Sequence, residues 1–291
     1  MTRSIIAGVT VCGAALAAVL VASPVAAQTT PVSISLAAVV GARPFSCTES
    51  YEGIGTTDST VRMTDFRFYV SNVRLTKADG SAVPLTLKQD GLWQLDDVAL
   101  IDFEDATGAC SNGTPQTRTI IEGTAPAGSY TGVTFDLGLP FDKNHRDPAV
   151  QPSPLNLTRL FWNWNAGYKF MRLDMRTTGM PQGWVIHLGS TGCDGATATV
   201  SPKACRQPNV ATIALNGLNL STDTIEMDVK ALLAGSNVDK NEAQALGCMS
   251  GPADPECGAL FTNLGLAFGT AAPAPQSVFK VRPAATSDGG R

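Results

Sequence analysis

The sequence predicts an all-β fold, an antiparallel β-sandwich or barrel with long loops and short helical turns, stapled by disulfides. Three observations point there. Apolar and polar residues alternate with period two in many short segments, and turn residues separate those segments. The 28 Gly and 18 Pro among 291 residues punctuate the chain too often for a helical bundle. An even set of six cysteines remains once an N-terminal leader is set aside.

That leader comes first. Arg3 supplies a positive start, residues 5–21 form an apolar run, and Val25-Ala26-Ala27 present the small residues a signal peptidase reads. Cleavage is expected before Gln28. Pro24 and Ser23 break the run before any positive stop-transfer flank, so an anchoring helix is disfavoured. Thr10-Val11 ahead of Cys12 lack a lipobox. The chain is thus expected as a signal peptide at 1–27, a single β-rich domain at 28–269 and a flexible tail at 270–291, exported to the periplasm with no membrane span.

Within the domain, strands are expected at 32–36, 66–75, 93–100, 130–137, 160–164, 170–176, 184–188, 210–215 and 225–229. Asp79-Gly80, Asp90-Gly91, Ala127-Gly128 and Asn216-Gly217 supply turns between them. Helix signal is confined to a turn or two at 231–234, 242–246 and 259–264. Many strands joined by short polar turns make a sandwich or a barrel.

Composition excludes several functions. Hydrophobic residues are 44% and charged ones 16%, too apolar for a disordered chain. The 21 Lys+Arg against 25 Asp+Glu leave no basic excess to neutralise phosphates, so nucleic acid is not the partner. Gly189-Ser190 is no nucleophile elbow and no paired-carboxylate motif stands out, which disfavours a hydrolase. With His145 and His187 the only histidines, a three-histidine metal site is ruled out.

Six cysteines in an exported chain read as three disulfides of fifteen possible connectivities. The simplest scheme pairs neighbours, Cys193 with Cys205 and Cys248 with Cys257, and leaves Cys47 to Cys110. The alternative, a thiolate metal site, lacks any C-x-x-C pair.

The stretch 139–192 carries the chemistry. Pro140 and Pro148 restrict the loop around His145. Trp162 and Trp164 point to one face of a strand. His187 leads into Gly189 and then Cys193. Taken alone, each histidine reads as a hydrogen-bonded structural residue, and the tryptophan pair as sheet packing. Met171, Met175 and Met180 could offer a thioether to Cu(I), although Met at strand spacing is more often core. Asp174, Asp102 and Glu104 read as strand-edge or turn carboxylates able to orient an imidazole. Lys169 is placed to balance Asp174.

In combination these residues resemble a known family. Asp65-Phe66-Arg67-Phe68-Tyr69-Val70-Ser71-Asn72-Val73, Asp102-Phe103-Glu104, Asn144-His145, Phe161-Trp162-Asn163-Trp164 with Gly167-Tyr168-Lys169-Phe170, His187-Leu188-Gly189-Ser190 and Gly247-Cys248-Met249-Ser250 are similar to motifs of the MbnP-type periplasmic proteins. These are the four-Cys members of the metallo-mystery pair, associated with some methanobactin operons. The resemblance implies a non-enzymatic copper-binding protein of copper homeostasis, with His145 and His187 as ligands to Cu(I) or Cu(II). It also implies a diheme peroxidase-like partner of the MbnH type, which oxidises Trp162 or Trp164 to kynurenine. Kynurenine supplies an aromatic amine and a ketone, donors that the indole lacks. Two other classes stay open: an exported copper-dependent oxidase or oxygenase, and a structural sandwich without metal.

Overall fold

The structure, a computed structural model, describes residues 1, 8, 28–163, 166–195 and 200–284. Most of the expected leader therefore lies outside the described residues, and so does Trp164.

Two sheets pack face to face. The smaller runs in spatial order Phe279–Arg282, Thr224–Asp228, Thr29–Val40, Ile120–Pro126 and Thr86–Leu87. The main path of the larger runs Trp184–Leu188, Met171–Thr177, Ser59–Lys77, Tyr130–Leu137 and Ala211–Asn216. Neither sheet closes on itself, so the sandwich is realised and the barrel is not. Among these strand pairs only Thr29–Val40 with Thr224–Asp228 is parallel; the others are antiparallel. The two layers interlock through Phe279 of the small sheet, whose ring lies 6.0 Å from Phe68 and 5.6 Å from Phe135 of the large one, edge-on to both.

Ser59–Lys77 organises the large sheet, because it pairs with Met171–Thr177, Tyr130–Leu137, Val98–Asp102, Ala82–Pro84 and Tyr51–Ile54 along its length. At its ends burial alternates, as expected for one wet face. From Asp65 to Ser71 every residue is buried. Phe66, Phe68 and Val70 face the apolar core there, and Asp65, Arg67 and Tyr69 face the other way. Loops cover that second face: Tyr69 donates its hydroxyl to the Pro154 carbonyl (3.0 Å), and its ring meets Tyr168 edge-on.

The three expected disulfides form: Cys47–Cys110, Cys193–Cys205 and Cys248–Cys257. The strands at Tyr130–Leu137 and Trp184–Leu188 have the expected limits. Other expectations need correction. The strand expected over 93–100 is broken by Asp96, at φ 52°, into Gln94–Leu95 and Val98–Asp102, which pair as a hairpin. No helix forms at 242–246. The Asn241 side chain accepts from the Gly247 N–H and donates to the Ala243 carbonyl, occupying groups that a helix would pair. The segment after Gly269 is not a loose tail throughout. Phe279–Arg282 pairs with Thr224–Asp228, and Val278 and Phe279 are buried, because Gln276 caps the entry by bonding both their N–H groups. Ile120–Pro126, a central strand of the small sheet, was not anticipated; its Gly, Thr, Ala and Pro dilute the alternation.

Candidate functional site

Cross-strand partners share a face of a sheet. Register places Asp102, Arg67, Arg172 and His187 in one row across four strands, and sets Asp65 opposite Asp174 in the next. This is the loop-covered face; Asp102, Arg67 and His187 are buried and Arg172 is partly so. Arg67 donates through Nε to Asp65 Oδ1 (2.8 Å). Arg172 donates to Asp174 Oδ2 through Nε (2.8 Å) and Nη2 (2.6 Å), and its Nε lies 3.2 Å from Asp65 Oδ2. Opposite charges thus alternate through the layer, which is what makes their burial tolerable.

The ladder ends at His187. Its Nε2 lies 2.9 Å from Asp174 Oδ1. A carboxylate can only accept, so Nε2 carries the proton. Nδ1 on the other side of the ring is buried and, among the described residues, has no hydrogen-bond partner. Burial lowers the His187 pKa, outweighing the opposing pull of Asp174, so the ring is neutral near pH 7. Burial would raise the Asp174 pKa, but its hydrogen bonds and charge contacts with His187 and Arg172 hold it below its usual range. A buried lone pair without a donor is costly unless something else meets it.

Trp162 stands beside this ring. The two ring centroids are 6.4 Å apart, and the indole is only partly buried. Gly189 makes the approach possible, since a Cβ there would lie 2.5 Å from Trp162 Cζ3 and 2.7 Å from the Tyr168 carbonyl oxygen.

His145 enters from the other side, just past the short helix Phe141–Asn144. Asn144 fixes its surroundings. The Tyr168 N–H donates to Asn144 Oδ1 (2.8 Å), which identifies Nδ2 as the atom facing His145 Nε2 (3.2 Å) and Ser190 Oγ (3.3 Å). Nε2 of His145 therefore accepts. Cys205 Sγ lies 3.4 Å from the same nitrogen. The described path between the two imidazoles runs through Asn144 and Ser190, three residues past His187. A cleft of about 190 Å³ lined by Asn163, Ala166, Ser190, Thr191, Gly192 and Cys193 opens beside this path.

The structure thus brings Trp162 next to His187 and ties His145 to the same region. Met171 and Met175 are fully buried in the apolar core, and Met171 pairs with Leu188 on the face opposite His187. They are core residues. Lys169 donates to the Arg159 carbonyl (3.1 Å), and it is Arg172 that neutralises Asp174. Burial, with Arg172 adding to it, lowers the Lys169 pKa to about 8. Asp102 bonds the Glu104 N–H, while Arg67 is its neighbour in the row. Arg172, and the role of Gly189 in admitting Trp162, escaped the sequence reading. Arg172 left a trace, since Arg172-x-Asp174 mirrors Asp65-x-Arg67.

Fold and site together define a disulfide-stapled β-sandwich with a carboxylate-oriented imidazole beside a tryptophan. The sequence profile of the MbnP family matches residues 29–250, and the chain belongs to that family. The solved structure of MbnP from Methylosinus trichosporium superposes with a TM-score of 0.80 at 31% identity, covering 89% of this chain and 100% of the other. No curated protein matches.

Proposed function

We propose that this protein is an exported, periplasmic copper-binding protein that holds copper through His145 and His187. It works in a methanobactin-type copper system and is itself not an enzyme. The observation that carries the reading is the orphaned Nδ1 of His187, with Nε2 locked by Asp174. Metal-ligating histidines characteristically give their second nitrogen to a carboxylate in this way. The donor set fits: neutral imidazoles suit Cu(I) and Cu(II), and both rings present an unprotonated nitrogen. Ligation by Nε2 of His145 would release the Asn144 amide.

In the same reading, Trp162 or Trp164 is converted to kynurenine by a diheme peroxidase-like partner, and the new amine and ketone add a donor. Trp162 is favoured, because its indole lies beside His187 and is partly exposed. The chain's own contribution is orientation: Gly189 admits the indole, Asp174 aims the imidazole, and the loops keep water from the charged row. Intact and peptide mass of protein produced with and without the partner tests this. Loss of one carbon for one oxygen raises the mass by about 4 Da on the peptide carrying both tryptophans. No change, or a change at Trp93 or Trp184, overturns the assignment.

A further inference from the structure

Beside the two-histidine arrangement lies a second set of donors. His145, Cys193 and Cys205 each offer a ligand atom, and all three atoms lie within 4.8 Å of one another. The cysteines are joined as a disulfide in a direct cross-strand pair of the hairpin Thr191–Asp194 and Ala204–Gln207. As a disulfide they bind nothing, since metal ligation needs thiolates.

Exposure sets this disulfide apart from the other two. Cys47 and Cys110 are 1% and 3% exposed, and Cys248 and Cys257 are both 0%. Cys193 and Cys205 are only partly buried, and Cys193 lines the open cleft. Thiol–disulfide exchange requires in-line approach of a thiolate to a sulfur. Among the three bridges, this one admits it.

We propose that Cys193–Cys205 is a reducible bridge whose opening creates a soft-metal site from Cys193, Cys205 and His145. The reductant is a protein or small-molecule dithiol. Its two thiols become a disulfide as the Cys193–Cys205 bond breaks, and two electrons and two protons pass to the pair as two thiols. A bound ion then displaces both protons. Metal–sulfur bonds of about 2.3 Å in tetrahedral geometry place two thiolates roughly 3.8 Å apart. The hairpin therefore opens by less than 2 Å or so, and the imidazole already lies against one sulfur. Two thiolates and one imidazole favour Cu(I), Zn(II) or Cd(II). His145 belongs to both donor sets, so reduction would move it from one to the other. The thiol site itself does not depend on the two-histidine reading.

The test uses the exported protein after removal of its leader, with Cd(II) as probe. The folded protein is incubated with a dithiol, the dithiol is removed, free thiols are alkylated and mapped, and a parallel sample is titrated with Cd(II). Two labels are expected, at Cys193 and Cys205, with one Cd(II) bound and a thiolate charge-transfer band in the ultraviolet. The oxidised protein should lack the band. Cys193→Ser/Cys205→Ser should abolish it, and His145→Ala should weaken the affinity at least tenfold while both thiols still label. Labels at other cysteines, no labels from folded protein, or His145→Ala affinity equal to wild type would each overturn the proposal.

Discussion

The Asp174 carboxylate lies 2.9 Å from Nε2 of His187, and that contact determines which imidazole nitrogen is left unprotonated. Asp174 in turn is held by Arg172, and Arg172 lies against the Asp65 carboxylate that Arg67 pairs. A histidine at the end of such a chain has little freedom to rotate or to exchange tautomers.

Asp174→Asn should therefore reverse the tautomer. Arg172 would keep the amide oxygen and turn the amide nitrogen toward His187, so Nε2 would accept and Nδ1 would carry the proton. Nitrogen-15 NMR of the metal-free variant should report the switch. Copper affinity should fall about 10–100-fold, the usual cost of losing a carboxylate behind a metal-binding histidine. An unchanged tautomer would refute the orienting role.

Gly189→Ala should displace Trp162, because the added methyl would sit 2.5 Å from its ring. Overpacking of this kind costs about 1–3 kcal/mol. Thermal unfolding should record the loss, and tryptophan fluorescence should shift as the indole swings outward. A variant with unaltered spectrum and stability would show that the indole does not need this glycine.

Asp102 gives a pH prediction of known sign. Burial raises its pKa to about 7, against the opposing pull of Arg67. Between the ordinary carboxylate value and about 7 the folded protein holds a proton that the unfolded chain has lost, so this residue's contribution to stability falls as pH rises through that window. Asp102→Asn keeps an acceptor for the Glu104 N–H and removes the buried charge. It should stabilise the protein at pH 8 by about 1–3 kcal/mol and give little benefit at pH 4. Unfolding curves at the two pH values check this, and equal effects at both would contradict it.

The Cys248–Cys257 bridge should contribute to the position of His187. Cys248 pairs with the strand's outer edge, accepting from the His187 N–H and donating to the Val185 carbonyl (both 2.9 Å). Cys248→Ser/Cys257→Ser should cost about 2–4 kcal/mol by loop closure, read from denaturant unfolding. It should also increase hydrogen exchange at the His187 amide. Protection equal to wild type would separate the bridge from the site.

Much of this arrangement could be read from the chain. Val133, Phe135 and Leu137 recur at period two, as do Trp184, Ile186 and Leu188, and the local cysteine pairs were spaced for closure. His187 and Trp162 stood out through their motifs. What could not be read was the covering of the sheet's second face. Asp65 and Arg67 look like solvent-side residues of a half-buried strand, and only loops distant in sequence bury them. Gly189 is uninformative until Trp162 is known to lie against it. Phe279–Arg282 was missed because its prolines and small residues upstream read as tail, whereas two apolar side chains suffice to dock it.

The most direct measurement is the Cu(I) affinity of wild type, His187→Ala and His145→Ala, obtained by competition with a chromophoric chelator at pH 7. Each variant should remain folded by circular dichroism and should lose at least tenfold in affinity, with His187→Ala losing the nitrogen that has no hydrogen-bond partner among the described residues. Wild-type affinity in His187→Ala would contradict the account.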